Sequence, residues 1–198
     1  MSNRMFRRAA STILCAGAVA LGLAVSGTAR GQTAPAASTP TATSFKFDFG
    51  AAKVVGHSQV LPEMVYSKER GYGFEPGAAV QAVHRAAGDL IASNKTFLFS
   101  VAVPEGNYQV TVTLGDPEGE SKTTIKAEIR RLMVEKAYLD KGKVATYTFN
   151  VAVRTPQIPG GGVVRLKPRE QQTEVRAWDE KLTLEFDDAH PCVGAIRE

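Results

Sequence analysis

The chain has 198 residues, with 24 Lys+Arg against 20 Asp+Glu and 43% hydrophobic residues. Its formal net charge of +4 comes from Arg4, Arg7, Arg8 and Arg30, the only charges before Gly31; from Gly31 onward acids and bases balance. That balance excludes the one-sided basic surplus that nucleic-acid or anionic-membrane binding requires.

Arg4, Arg7 and Arg8 precede an uncharged apolar run from Ala9 to Val25, and Gly27-Thr28-Ala29 supplies a small-x-small cleavage site. The pattern predicts a secretory signal peptide over residues 1–30, a mature chain starting between about Arg30 and Thr33, and export to the periplasm or the exterior. A membrane anchor is disfavoured because the run is near the lower length limit for a span and rich in Ala and Gly. Lipoprotein processing is disfavoured because Leu14, not a small residue, precedes Cys15. No membrane association is expected after cleavage. Residues 31–44 are rich in Pro, Ala and Thr, without periodicity, and read as a flexible linker. Cys15 leaves with the signal, so Cys192 stands alone and no intrachain disulfide forms.

Residues 45–198 suffice for one domain burying about two-thirds of its extended-chain surface. Candidate strands run through it at Phe45–Phe49, Thr96–Val103, Tyr108–Leu114, Thr123–Ile129, Leu132–Tyr138, Val144–Val153, Val163–Leu166, Lys181–Phe186 and Val193–Ile196. In Phe97–Asp116, Phe97, Phe99, Val101 and Val103 alternate with Leu98, Ser100 and Ala102. After Pro104-Glu105-Gly106-Asn107 the alternation resumes at Tyr108, Val110, Val112 and Leu114. A period of two on both sides of a turn predicts an antiparallel hairpin with one buried face. No apolar set at i, i+3, i+4, i+7 persists long enough for a substantial helix. The expectation is an all-β, single-domain, antiparallel two-sheet β-sandwich of about nine strands. Val54–Thr96 is irregular, and loops of that length are functional or hold minor elements of their own. Arg130-Arg131 and Arg165/Lys167/Arg169 are diluted by Glu128, Glu135 and Glu170 and read as solvated strand faces.

Five blocks carry a family resemblance: FKFDFG at Phe45–Gly50, GYGFE at Gly71–Glu75, VPEGNYQVTVTLGD at Val103–Asp116, AEIRRLMVE at Ala127–Glu135 and WDEKLTLEF at Trp178–Phe186. In this order they resemble the N-terminal galactose-binding-like module of bacterial rhamnogalacturonan acetylesterase-like enzymes, which belong to the SGNH hydrolases. The opening FDFG and the V-P-x-G-x-Y-x-V stretch are also similar to malectin-type domains. The resemblance covers nearly all of residues 45–198 and implies a jelly roll linked to plant cell-wall polysaccharide breakdown. In such enzymes a catalytic domain opens with a Gly-Asp-Ser block just after the strand that here reads Cys192–Arg197. Those residues are not within this sequence, so the expectation is a truncated esterase or a stand-alone, non-catalytic module.

Asp187-Asp188-Ala189-His190 matches the D-x-x-H spacing of an SGNH acid and base, but neither Gly115-Asp116 nor Gly88-Asp89 is followed by the serine. A polar turn is the expected reading. Gly160-Gly161-Gly162 lacks the register of a phosphate cradle. His57, His84 and His190 are scattered without Cys/His pairing, so no metal site is signalled. By family analogy alone a structural calcium is conceivable, with Asp187 and Asp188 as oxygen ligands.

Two functions remain. As a carbohydrate-binding module the chain would stack aromatic faces on a sugar ring and orient hydroxyls with polar groups. The Tyr66–Glu75 segment has the ingredients: Tyr66, Tyr72 and Phe74 interleaved with Arg70 and Glu75. The competing reading has these aromatics plug one end of the sandwich. As a structural accessory the domain would pack on an SGNH hydrolase domain through an exposed apolar surface around Trp178, Val193 and Ile196.

Overall fold

The two best-defined strands of the sequence face each other across the core from opposite sheets. The computed structural model describes residues 44–50, 53–172 and 174–198. The expected signal peptide and nearly all of the linker lie outside those residues.

Thirteen strands follow in chain order: β1 Lys46–Phe49, β2 Ser58–Val60, β3 Tyr72–Phe74, β4 Gln81–Val83, β5 Leu90–Ala92, β6 Phe97–Ala102, β7 Gly106–Leu114, β8 Ser121–Ala127, β9 Arg131–Leu139, β10 Ala145–Val153, β11 Lys181–His190, β12 Cys192–Val193 and β13 Ala195–Arg197. One five-stranded sheet has the order β10-β7-β13-β1-β2, the other β3-β6-β11-β8-β9, and a three-stranded sheet β12-β5-β4 lies beside them. The only helical element among the described residues is a 3₁₀ turn at Val175–Ala177. The expected all-β sandwich is therefore present. Pairing is antiparallel except between β1 and β2 and at the isolated Val65–Phe74 bridge.

The alternation reads the buried faces correctly. Phe97, Phe99, Val101 and Val103 are buried, as are Tyr108, Val110, Val112 and Leu114. The pairing differs from expectation. β6 pairs with β3 and β11, whereas β7 pairs with β10 and β13, so the chain between them crosses from one sheet to the other. A period of two tells which side chains face inward but not which strand lies alongside. Tyr108 braces the crossing by donating its hydroxyl to Pro104 O at 2.6 Å.

The Val54–Thr96 stretch contains four short strands, β2 to β5, three residues each, too short for a period to register. The strand expected at Val163–Leu166 is absent, and Val163 makes only an isolated bridge to Gln157. Val193–Ile196 divides into β12 and β13, so the chain end serves two sheets.

Replacing Val101 or Val112 by Asp should abolish the folding transition, since each buries an unpaired charge from one side of the core. Gln109→Glu, on the exposed face of β7, should change stability by no more than about 0.5 kcal/mol. Urea titrations of the three variants check the facing assignment.

Candidate functional site

Tyr66–Glu75 wraps the edge of β3. Residues 64–66 run alongside it, with Phe74 N donating to Met64 O at 2.8 Å and Tyr66 N to Phe74 O at 2.7 Å. This close approach needs Gly73: at φ +148° a Cβ there would lie 2.6 Å from Met64 O and from Tyr66 N. The segment does not assemble the expected stacking platform. Tyr72 turns inward, its ring 4.8 Å from that of Phe47. Phe74 is 1% exposed and packs on Phe49, Phe97 and Phe99. Its burial corrects the expectation that it faces a ligand. Arg70 is exposed and donates to Val65 O at 2.8 Å, and Tyr66 lies under Lys181 Nζ, 4.9 Å from the ring centroid.

Glu75 enters a polar network on the outer face of the β6–β11 pair. Its Oε1 accepts bonds from Ser100 Oγ at 2.7 Å and Lys181 Nζ at 2.8 Å. Burial works against the Glu75 carboxylate, but the bonds from Lys181 and Ser100 outweigh it and hold the group below its usual range. Ser100 and Thr183, cross-strand partners, share a 2.8 Å hydroxyl contact, and Thr183 N donates to Glu128 Oε1 at 2.9 Å. The network ends at Glu128, 3% exposed, whose Oε2 has no hydrogen-bond partner. Burial, reinforced by the nearby Asp179 charge, pushes its carboxyl up to about 7, against the weaker pull of the Thr183 amide, Arg131 and Lys181.

A small cavity lies at the other end of the domain, where β4 and β5 meet the β11–β12 bend. It holds about 150 Å³. Val83, Leu90 and Ala92 form an apolar wall, and Gln81, Asn94, Glu120, Ser121 and His190 supply polar groups. The β11 register shifts between Asp187 and His190 and Asp188 has φ +102°; a bulge of this kind re-aims the side chains beside it. His190 Nδ1 then sits 3.0 Å from Asn94 Oδ1. Asp187 and His190 form no acid–base pair: Asp187 accepts from Thr96 Oγ1 at 2.6 Å and Lys126 Nζ at 3.2 Å. Asp188 is engaged by Lys122 Nζ at 2.9 Å and Thr124 Oγ1 at 3.0 Å. Both carboxylates of the conceivable calcium pair are thus bound by lysines.

Asp116, on the cavity rim, receives both Nε (2.7 Å) and Nη2 (2.8 Å) of Arg85. The Arg85 bond, helped by backbone N–H groups, holds it below the usual carboxylate range. Cys192 closes the floor; its Sγ accepts from Gly115 N at 3.3 Å, and burial pushes the thiol up, so it is no reactive nucleophile. Sequence reasoning missed this site because its residues span positions 81 to 192 and carry no motif. His190 drew notice for a catalytic spacing that the fold does not use, Asp116 for a Gly-Asp pair without its serine, and Cys192 as the lone cysteine.

A second recess of about 460 Å³ is mainly apolar, lined by Pro156, Val163, Val164, Leu166, Val175 and Trp178, with Arg165 and Gln171 among them. Trp178 is thus grouped with the β10–β11 connection. Val193 and Ile196 are 0% and 1% exposed. The expectation that they share an exposed partner surface with Trp178 is corrected by that burial: their side chains fill the core.

The family model described as beta-agarase/YXIM esterase-like, galactose-binding domain-like matches residues 45–159. The chain belongs to this family. The structure of YxiM from Bacillus subtilis is similar to this galactose-binding-like domain at 21% identity and a TM-score of 0.50, over 78% of this chain and 39% of that one. That likeness shows the shared fold. Beta-glucuronidase 2 of Bacteroides uniformis matches at 10% identity and TM-score 0.48, over 79% of this chain and 17% of its own. The plant receptor-like kinase FER matches at 8% identity and TM-score 0.44, over 78% and 41%. The chain thus spans well under half the length of each of these proteins. No curated protein matches it. Among the described residues, no helix is long and apolar enough to cross a membrane.

Two outcomes test this geometry. Tyr72→Ala should cost about 2 kcal/mol in folding stability, because it removes a packed aromatic pair from the core side of β3. The Glu128 carboxyl titrates at about 7 when folded against an ordinary 4.5. The unfolded chain therefore releases this proton first, and the stabilisation is complete below pH 4.5, declines as pH rises and is gone above about 7. Up to roughly 3 kcal/mol is at stake. Glu128→Gln should flatten the stability profile between those pH values relative to the unsubstituted chain, read from urea midpoints.

Proposed function

We propose that the chain is an exported, non-catalytic carbohydrate-binding module acting alongside enzymes of pectin or rhamnogalacturonan breakdown. The observation that carries the reading is the cavity between β4, β5 and the β11–β12 bend, where amides, an imidazole and a hydroxyl converge over an aliphatic wall. Membership of a galactose-binding-like family and the resemblance to rhamnogalacturonan acetylesterase-like proteins support the glycan and its cell-wall source. The charged run of arginines before an apolar stretch and a small-x-small site supports export.

In affinity gels the mature chain should be retarded by pectic polysaccharide, and Asn94→Ala or His190→Ala should remove the retardation with melting unchanged, since both side chains are exposed. The same chain should release no acetate from acetylated pectin. Mass spectrometry of the exported product should give a mature N-terminus between Arg30 and Thr33, and an intact Met1 would refute export by cleavage.

A second reading, a structural accessory packing on an SGNH hydrolase domain, is favoured by the recess around Trp178, flanked by half-exposed Val163 and Val175. A folded chain that no glycan retards would favour it over the first.

A further inference from the structure

We propose that the cavity takes a single neutral sugar residue, at a chain end or side branch of the glycan, and excludes uronic acids. The inference deepens the carbohydrate-binding reading and rests on it.

Size sets the first limit. About 150 Å³ corresponds to about five water volumes, below the usual range of ligand pockets. One ring fits inside such a space, and any further residues of the glycan must lie outside its mouth. The wall sets the second. Val83, Leu90 and Ala92 offer aliphatic contact to the C–H face of a pyranose or furanose, and no Phe, Tyr or Trp lines the cavity.

The polar groups call for hydroxyls. Gln81 and Asn94 carry amides that donate and accept, matching a group that does both. Ser121 is 2% exposed, and its Oγ finds no hydrogen-bond partner beyond the weak one offered by the Cys192 thiol. A buried hydroxyl left in that state is costly, and a ligand hydroxyl at this depth relieves it.

Charge sets the exclusion. The two ionisable acids on the lining are Asp116 and Glu120, and no Lys or Arg lines the cavity. The nearest guanidinium, Arg85, is committed to Asp116 through two bonds of 2.7 and 2.8 Å. A uronate carboxylate entering here meets the like charge of Glu120 with no Lys or Arg on the lining to pair with it, only the imidazole of His190. Within a pectic polysaccharide, this selects neutral side branches over the galacturonate backbone.

The test is calorimetric titration of the mature chain at pH 7.5 with galactotetraose, arabinotetraose and tetragalacturonate. At least one neutral probe should bind, with tetragalacturonate weaker by about tenfold or more. Asn94→Ala and Ser121→Ala should each weaken the neutral probe by about fivefold or more, the first of them on an exposed side chain that folding does not need. Glu120→Gln should raise the affinity of tetragalacturonate relative to the neutral probe by about fivefold. Tetragalacturonate binding more tightly than both neutral probes overturns the inference while leaving the carbohydrate reading intact. Neutral binding insensitive to Asn94→Ala overturns the site. Binding of none of the three probes or of any other glycan overturns both the inference and the reading beneath it.

Discussion

Phe99 is the point through which the two large sheets hold each other. Its ring lies 5.3 Å from Phe47, 5.0 Å from Phe49 and 5.6 Å from Phe74, edge-on in each case. Phe47 and Phe49 come from one sheet, and Phe74 and Phe99 from the other. Phe97 and Phe186 extend the cluster by stacking at 5.0 Å. Edge-to-face pairs add about 0.5–1.5 kcal/mol beyond area burial, and they constrain orientation as plain aliphatic contact does not. The FKFDFG opening and the GYGF segment are therefore two halves of one inter-sheet contact, and β1 and β3 hold their places because their aromatics meet over Phe99.

A core filled in this way leaves no interior room for chemistry, so polar groups collect outside it. On the outer face of the β6–β11 pair they form a closed network in which Glu75, Lys181, Ser100 and Thr183 satisfy one another. Such a network rigidifies when every member is paired and is costly where one is not. Glu128 is where it is not complete, and its position at φ +47° just past β8 shows a backbone bent to bring the carboxyl beneath Thr183. At the far end, the bulge in β11 turns His190 out of line and opens the cavity beside β4 and β5. Both features follow from strands that must change direction at the ends of a packed sandwich.

Much of the fold was legible. Strands β6, β7 and β10 were readable as strands, and the inner faces of β6 and β7 correctly, because alternation is a local property of five or more residues. The three-residue strands β2 to β5 were not, since they depend on pairing with distant chain and carry no period of their own. The candidate site was less legible still. Tyr66, Tyr72 and Phe74 looked like a platform because they are close in sequence, yet Tyr72 and Phe74 pack inward and Tyr66 lies under Lys181. The cavity residues looked unrelated because Gln81, Asn94, Ser121 and His190 come from separate parts of the chain.

The sequence by itself determined the class of fold, the inward faces of its long strands and the charge balance. Each of these depends on residue type and spacing along a few turns of chain. Only the tertiary structure decided that β6 and β7 belong to opposite sheets, that Phe74, Val193 and Ile196 are sealed in the core, and that Ser121 and His190 share a cavity. Those outcomes depend on which distant segments exclude water together, and a one-dimensional pattern holds no record of that choice.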